Sequence, residues 1–141
     1  MKFFLPFLLI FTTLFLSCAS LDIINFRIYI TNAIEEDIVF HLQSKWQDLG
    51  NHTLAFNQEF DWKFPVKIGT YYKAEFWWGS KFQTISVFNY HIFDVCFNGA
   101  LFTVQRCYWL VRPDGFYYHV TNDTFPGGWT KSAFWSSKSM A

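Results

Sequence analysis

Two cysteines eleven residues apart constrain the fold of this chain more than any other feature of its sequence. Cys96 and Cys107 flank an Asn98-Gly99 turn signal, and Pro113-Asp114-Gly115 supplies a second one. Both signals provide the backbone angles that tight reversals need, so the segment that starts at Cys96 is predicted to run strand, turn, strand, turn. Because side chains alternate along a strand, Cys107 and Trp109 are expected to share one face.

These two cysteines have two interpretations. A bridge between them would close a loop of about a dozen residues and stabilise the fold by roughly 3 kcal/mol through chain entropy. The alternative is a pair of buried free thiols. The compartment decides between the two, because disulfides persist in oxidising environments and are rare in the cytosol.

The first twenty residues have the pattern of a secretory signal peptide. Lys2 is followed by an uncharged apolar stretch over residues 3–16 and then by Ser17-Cys18-Ala19-Ser20. A basic start, a short apolar core and small residues at the exit are typical of a cleaved leader rather than of a membrane span. Residues 1–20 are therefore predicted to be removed, by cleavage after Ala19 or Ser20, with no membrane insertion of the mature chain.

Cleavage at this point would also remove Cys18. Cys96 and Cys107 would then be the only cysteines, an even number in an oxidising route, which favours the disulfide over free thiols. A bacterial lipoprotein signal, with Cys18 as the lipidated residue, is the competing interpretation. It is weaker because a leucine lies four residues before the cysteine instead of three.

The rest of the chain has the size and charge of one globular domain. Removing 20 of the 141 residues leaves 121, and Lys2 is the only charge lost. The mature chain then has ten basic and eleven acidic side chains, a net charge of minus one. A net charge this close to zero argues against a nucleic-acid partner, which requires a basic face. All seven Trp and all seven Tyr remain. Such a domain either packs densely on aromatic rings or exposes some of them for binding.

Alternation of apolar and polar residues predicts strands throughout this domain. It is clear over residues 24–31 and 38–43, on either side of the acidic turn Glu35-Glu36-Asp37. These two strands are expected to pair, and the turn is interpreted as solvated rather than as a cation site. Further strands follow, with hairpin-like spacings at residues 65–69 and 79–81.

About seven or eight short strands predict an all-β fold, a small antiparallel β-sandwich over residues 21–141. No stretch has a convincing helical period, and residues 44–54 are predicted to form a polar loop. A flexible C-terminal tail is predicted from about residue 121, where the sequence becomes polar and glycine-rich. Trp129 and Trp135 in this tail are expected to anchor it rather than to reach a partner.

The titratable residues do not form a recognisable catalytic or metal-binding motif. His41, His52, His91 and His119 lack the spacing that places two ligands on one metal, so no metal or cofactor is expected. Glu59 and Asp61 share one face of a strand, as the paired acids of a glycosidase could, but a face that meets water explains them as well. The chain is therefore predicted not to be an enzyme.

Two sequons lie in predicted loops of this exported chain. They are Asn51-His52-Thr53 and Asn122-Asp123-Thr124. Asn51 and Asn122 are predicted to carry glycans, since a transferase can reach such loops. For the neighbouring Asp48 and Gly50 a structural role is favoured over recognition: Asp bonds its own loop backbone and Gly permits a positive φ.

A series of short segments extends over almost the whole mature chain in a characteristic order. They are Ser44-Lys45 and Asp48-Leu49-Gly50 after a hydrophobic strand, then Phe60, Trp62 and Phe64, then Tyr72, Ala74, Phe76 and Trp78, then Phe82 and Val87-Phe88, and finally Cys96, Cys107-x-Trp109 and Asp114-Gly115. Together they resemble the plant self-incompatibility S1 family, also called S-protein homologues. The resemblance implies a β-sandwich and a secreted role in cell-to-cell signalling.

One departure from this family pattern concerns a further cysteine pair. The resemblance implies that pair at the positions of Leu42 and Ala74, and both cysteines are missing here. Losing both partners leaves no orphan thiol, and a large Leu facing a small Ala could refill the space. The expected cost is a few kcal/mol relative to a bridged relative, offset partly by packing.

The leading hypothesis is a secreted, monomeric, non-enzymatic recognition protein that binds a cell-surface receptor or another extracellular partner. Loops on a rigid scaffold would supply specificity, first among them residues 44–51, 79–81 and 89–94. The alternative is a secreted carbohydrate-binding protein or glycan-acting enzyme that uses exposed aromatic residues such as Trp46 or Trp77.

Overall fold

The computed structural model of the protein describes residues 23–137. The predictions made for residues 1–20 lie outside this range. The ten strands within it are β1 (Asn25–Asn32), β2 (Ile38–Ser44), β3 (Asp48–Leu54), β4 (Glu59–Pro65), β5 (Tyr72–Trp78), β6 (Lys81–Phe88), β7 (Val104–Arg112), β8 (Gly115–His119), β9 (Thr130–Ala133) and β10 (Ser136–Ser137). One helix, α1 (Tyr90–Cys96), lies between β6 and β7. Within the described range no helix is both long enough and apolar enough to cross a membrane.

The strands form two five-stranded sheets. Sheet A has the order β4-β1-β7-β8-β9, and sheet B has the order β10-β6-β5-β2-β3. Neighbouring strands are antiparallel except β1 and β7, which run parallel. The predicted all-β sandwich is confirmed, with more strands than the seven or eight expected. The additional ones include β3, β9 and β10, whose polar sequences lack the apolar alternation that identifies a strand.

The core lies between the two sheets and is built on aromatic rings. Phe26 of β1 and Phe40 of β2 are completely buried. Phe26 packs against Phe88 with ring centroids 5.0 Å apart, and Phe40 packs against Phe76 at 5.4 Å. Burying one such side chain stabilises the folded state by about 1.5–3 kcal/mol. Much of the aromatic content therefore serves packing.

The predicted pairing of the first two strands is wrong. β1 belongs to sheet A, whereas β2 pairs with β3 and β5 in sheet B. Both strands turn their apolar side chains toward the same core, but from different sheets. Alternation identifies the buried face of a strand but not its sheet partner. The exposed turn Glu35-Glu36-Asp37 crosses between the sheets.

The two hairpin-like spacings have different outcomes. Residues 79–81 close a hairpin, because β5 and β6 are antiparallel neighbours. Residues 65–69 instead lead from β4 in sheet A to β5 in sheet B. A short polar connection fits either geometry, so its length does not distinguish them.

The strand predicted at Cys96 is wrong, because Cys96 is the last residue of helix α1. The Asn89 side chain caps this helix by accepting a hydrogen bond from the Ile92 amide at 2.9 Å. Ile92 and Cys96, one turn apart, are the buried residues of α1. Two helical turns are too few for the period to stand out in the sequence. Cys96 is bonded to Cys107, with Cα atoms 5.7 Å apart, so a disulfide ties α1 to β7.

The C-terminal segment also differs from the flexible tail expected from about residue 121. β9 pairs with β8 and β10 pairs with β6, so this segment adds a strand to each sheet. Trp135 anchors it: the indole nitrogen donates to the Arg112 carbonyl at 2.9 Å, and the ring packs on Phe116 with centroids 4.6 Å apart. Trp129 donates to the Asp123 carbonyl at 2.9 Å within the same segment.

Candidate functional site

The strand directions divide the connecting segments between two ends of the sandwich. At one end β2 finishes at Ser44, which pairs with Tyr72 at the start of β5, and Tyr72 pairs with Phe88 at the finish of β6. Helix α1 follows at this end, which we call the helix end. The opposite end, the hairpin end, holds residues 79–81 and the turn Pro113-Asp114-Gly115.

This arrangement brings together two of the three predicted recognition loops. The turn within residues 44–51 and the capped start of α1 within residues 89–94 lie at the helix end. Residues 79–81 lie at the hairpin end, on the far side of the sandwich. One binding site cannot use all three.

Exposed apolar side chains are concentrated at the helix end. Trp46 is 81% exposed, Tyr90 is 82% exposed and Ile68 is fully exposed. Twelve large apolar side chains are exposed between residues 23 and 137, and seven of them belong to the helix end: Trp46, Ile68, Tyr71, Tyr90, Val95, Leu101 and Phe102. Apolar surface left in water at one place marks an interaction site more often than scattered single residues do.

The turn that presents Trp46 is held by its own backbone and one hydroxyl. The Ser44 Oγ accepts hydrogen bonds from the amides of Trp46 and Gln47, at 3.3 and 3.1 Å. The Ser44 amide donates to the Gln47 carbonyl at 2.7 Å. These bonds fix the turn without using the indole, whose ring has the Lys45 ammonium 4.9 Å from its centroid and is otherwise largely exposed.

Asp48 and Gly50 have the structural roles predicted for them. The Asp48 carboxylate accepts from the Gly50 amide at 2.8 Å and lies 2.8 Å from the His41 Nε2. Gly50 has a φ of +82°, which L-residues rarely adopt. The segment is not a loop, however. It opens strand β3, and the register with β2 shifts here, so that Leu49 is the extra residue of a bulge.

A small cavity of about 220 Å³ opens beside the start of α1, between β6 and β8. His91 Nε2 and the Tyr118 hydroxyl share a hydrogen bond of 2.9 Å at its mouth. Trp109, on its wall, donates its indole proton to the Val87 carbonyl at 2.9 Å. All three of these side chains have hydrogen-bond partners within the protein, and the cavity is smaller than the ~300–1,000 Å³ of ordinary ligand pockets. The cavity is therefore a weaker candidate for a binding site than the exposed apolar side chains of the helix end.

The four histidines do not converge. The nearest polar partners of His41, His52, His91 and His119 include Asn51, Leu49, Tyr118 and Asp123 respectively. Between residues 23 and 137, no three His, Cys, Asp or Glu side chains come close enough to hold a metal ion.

Glu59 and Asp61 lie on edge strand β4 and both contact β1. Asp61 pairs with Arg27 at 2.5 Å, and Glu59 accepts from the Thr31 hydroxyl at 3.2 Å. Both carboxylates are exposed and have partners on β1. A strand face that meets water therefore explains this pair.

The pair Asp114-Gly115 builds the turn between β7 and β8. The Asp114 carboxylate accepts from the Tyr117 hydroxyl at 2.6 Å and from the Arg112 Nε at 3.2 Å. The Tyr117 hydrogen bond is the main reason that the pKa of Asp114 is lowered and that of Tyr117 is raised. Gly115 has a φ of +143°, and a Cβ there would lie 2.3 Å from the Ala133 carbonyl oxygen. This turn can therefore approach β9 only with glycine.

Leu42 and Ala74 are direct cross-strand neighbours of β2 and β5, and both are completely buried. Positions this close are within reach of a disulfide in an antiparallel pair. The Leu therefore faces the Ala in the core, as expected for a pair that replaces two cysteines.

The two sequons are both exposed, although only one lies in a loop. Asn122 belongs to the segment between β8 and β9. Asn51 lies in edge strand β3, where its side-chain oxygen is 2.6 Å from the His41 Nδ1. Both residues are exposed, and glycosylation at Asn51 and Asn122 stays a prediction.

Known proteins resemble this chain along most of the described range. The family model of plant self-incompatibility protein S1 matches residues 27–135. The chain belongs to this family. S-protein homolog 5 of Arabidopsis thaliana is 30% identical over 80 residues, which cover 55% of this chain and 57% of that relative. The matched part is thus little more than half of the relative's length. No solved structure shows a significant match.

Membership of the S1 family agrees with the resemblance inferred from the ordered segments. Family membership supports a plant S-protein-like role for this chain. The sequence did not predict that Ile68 and Phe102 would be among the exposed apolar residues of the helix end, because a single apolar residue in a loop carries no periodic signal. Only the strand directions bring them to the end that Trp46 occupies.

Proposed function

We propose that this S1-family protein is a secreted, non-enzymatic recognition protein that binds a cell-surface receptor or another extracellular protein through its helix end. The observation that carries the proposal is the concentration of exposed apolar side chains there, seven of the twelve in residues 23–137. Partner-binding surfaces are enriched in aromatic residues at their centres. Trp46 and Tyr90 are the anchors we assign to this surface.

The scaffold beneath the helix end suits such a role. The Cys96–Cys107 disulfide and the packing of Phe93 on Phe26, with centroids 5.5 Å apart, hold α1 against the sandwich. A fixed backbone reduces the entropy lost when a partner binds. The predicted leader over residues 1–20 and the sequons at Asn51 and Asn122 support export.

The test is binding of the purified mature protein to intact plant cells, with chemical cross-linking to capture the partner. The double variant W46A/Y90A should lose at least tenfold in affinity, as expected when two interface anchors are removed. The matched control is F56A, which removes an exposed aromatic ring at the hairpin end. Equal binding by W46A/Y90A and the wild type would overturn the assignment of the helix end.

A further inference from the structure

The outer face of sheet A carries a row of three cations, two residues from the helix-end termini of the strands that hold them. The register of β4, β1 and β7 places Lys63, Arg27 and Arg106 side by side. Adjacent strands lie about 4.8 Å apart, so the row is about 10 Å long. Like charges on neighbouring strands destabilise a sheet, and a bound anion would remove that cost.

Only one of these three cations has a carboxylate partner in the described part of the chain. Arg27 pairs with Asp61. Arg106 is exposed, and its Nε donates to the Tyr29 hydroxyl at 3.0 Å, a neutral partner. Lys63 is also exposed and makes no ion pair within residues 23–137. Lys63 and Arg106 therefore carry uncompensated positive charges on either side of Arg27, whose charge is compensated by Asp61.

The surroundings of the cation row leave one approach open to an anion. The next row toward the helix end consists of Pro65, Asn25 and Val104, none of which is charged. The row on the other side consists of Asp61, Tyr29 and Tyr108. Asp61 is already paired with Arg27, and the two tyrosine rings stack with centroids 4.5 Å apart. Burial is the main cause that raises the pKa of Tyr108, so its hydroxyl remains protonated and can donate a hydrogen bond.

We propose that this row binds a polyuronate, an acidic polysaccharide with a carboxylate on every sugar unit. Arg and Lys side chains bind carboxylates, Arg in a bidentate manner, and the Tyr108 hydroxyl can donate to a sugar oxygen. A nucleic acid would need a larger basic face than this row, in which one of three cations is already paired with Asp61.

The experiment compares two forms of one polymer by calorimetry at low ionic strength. Polygalacturonate should bind the purified mature protein, and its fully methyl-esterified form, which lacks the charges, should not. Added salt should weaken binding, since exposed charges are screened. The double variant K63Q/R106Q should bind at least tenfold more weakly, because two exposed charge contacts are lost.

The matched control is K73Q/K81Q, which loses the same charge on sheet B and should bind within about twofold of the wild type. Equal weakening by both double variants would overturn the proposal, because net charge alone would then explain binding. Binding of the methyl ester, or binding to phosphatidylserine vesicles without binding to polygalacturonate, would overturn it as well. W46A/Y90A should retain polygalacturonate binding, so this site and the proposed receptor surface can fail separately.

Discussion

Gly115 lies where the β7–β8 turn passes β9, and the chain has no room there for a side chain. Substitution G115A would force a Cβ to within 2.3 Å of the Ala133 carbonyl oxygen at a φ of +143°. We expect a loss of more than about 2 kcal/mol in the free energy of unfolding, since both a clash and backbone strain result.

Urea denaturation measures this loss, and G127A provides the control. A Cβ on Gly127 would meet its nearest atom, the Thr124 carbonyl oxygen, at an ordinary 3.7 Å. This variant should stay within about 0.5 kcal/mol of the wild type. Similar free energies of unfolding for both variants would show that the close approach of β9 is incorrect.

Asp114 gives a pH dependence at the same turn. The lowered pKa of Asp114 in the folded state stabilises the fold fully above its ordinary value of about 3.9. This contribution is lost as the pH falls through the lowered, folded-state pKa. Y117F removes the largest cause of the shift and should cost about 1 kcal/mol at pH 7.

The difference between Y117F and the wild type should shrink below pH 3, where Asp114 is protonated in the unfolded state and increasingly in the folded one. Denaturation curves at pH 7 and at pH 2.5 or so, on the scale set by that ordinary pKa, measure it. A difference that does not change with pH would mean that the Asp114–Tyr117 hydrogen bond contributes nothing through ionisation.

At the scale of elements, the buried faces could be predicted from the sequence and the pairing could not. The alternation in β1 and β2 identified their core residues, yet the two strands lie in different sheets. β3 and β9 could not be predicted, because polar edge strands have no apolar period. α1 remained hidden because it has seven residues, although the Asn89 cap was a readable signal.

The pairing of β2 with β5 makes a disulfide between positions 42 and 74 feasible. The variant L42C/A74C should oxidise spontaneously, because the two positions are cross-strand neighbours. Its oxidised form should be more stable than its reduced form by about 3–4 kcal/mol, from closure of a loop of about 32 residues.

Intact mass and thermal unfolding with and without reductant measure both effects, and L42C alone controls for the core substitution. A double variant that stays reduced under conditions in which Cys96 and Cys107 are bridged would contradict the observed register.

At the scale of the whole molecule, the division into two ends determines what can act together. The fold class and the S1 family could be predicted from the sequence, and residues 44–51 and 89–94 remain predictions as recognition loops. It could not show that residues 79–81 lie at the opposite end. That depends on which strands pair and in which direction, and these long-range contacts leave no local pattern.

Export is the condition on which secretion, glycosylation and recognition of an extracellular partner all depend. Intact mass spectrometry of the protein purified from its native tissue tests it most directly. We predict a chain that begins at Ser20 or Leu21, carries glycan at Asn51 or Asn122, and contains the Cys96–Cys107 disulfide. A mass that corresponds to an unmodified chain beginning at Met1, with both thiols open to alkylation, would contradict the proposed role.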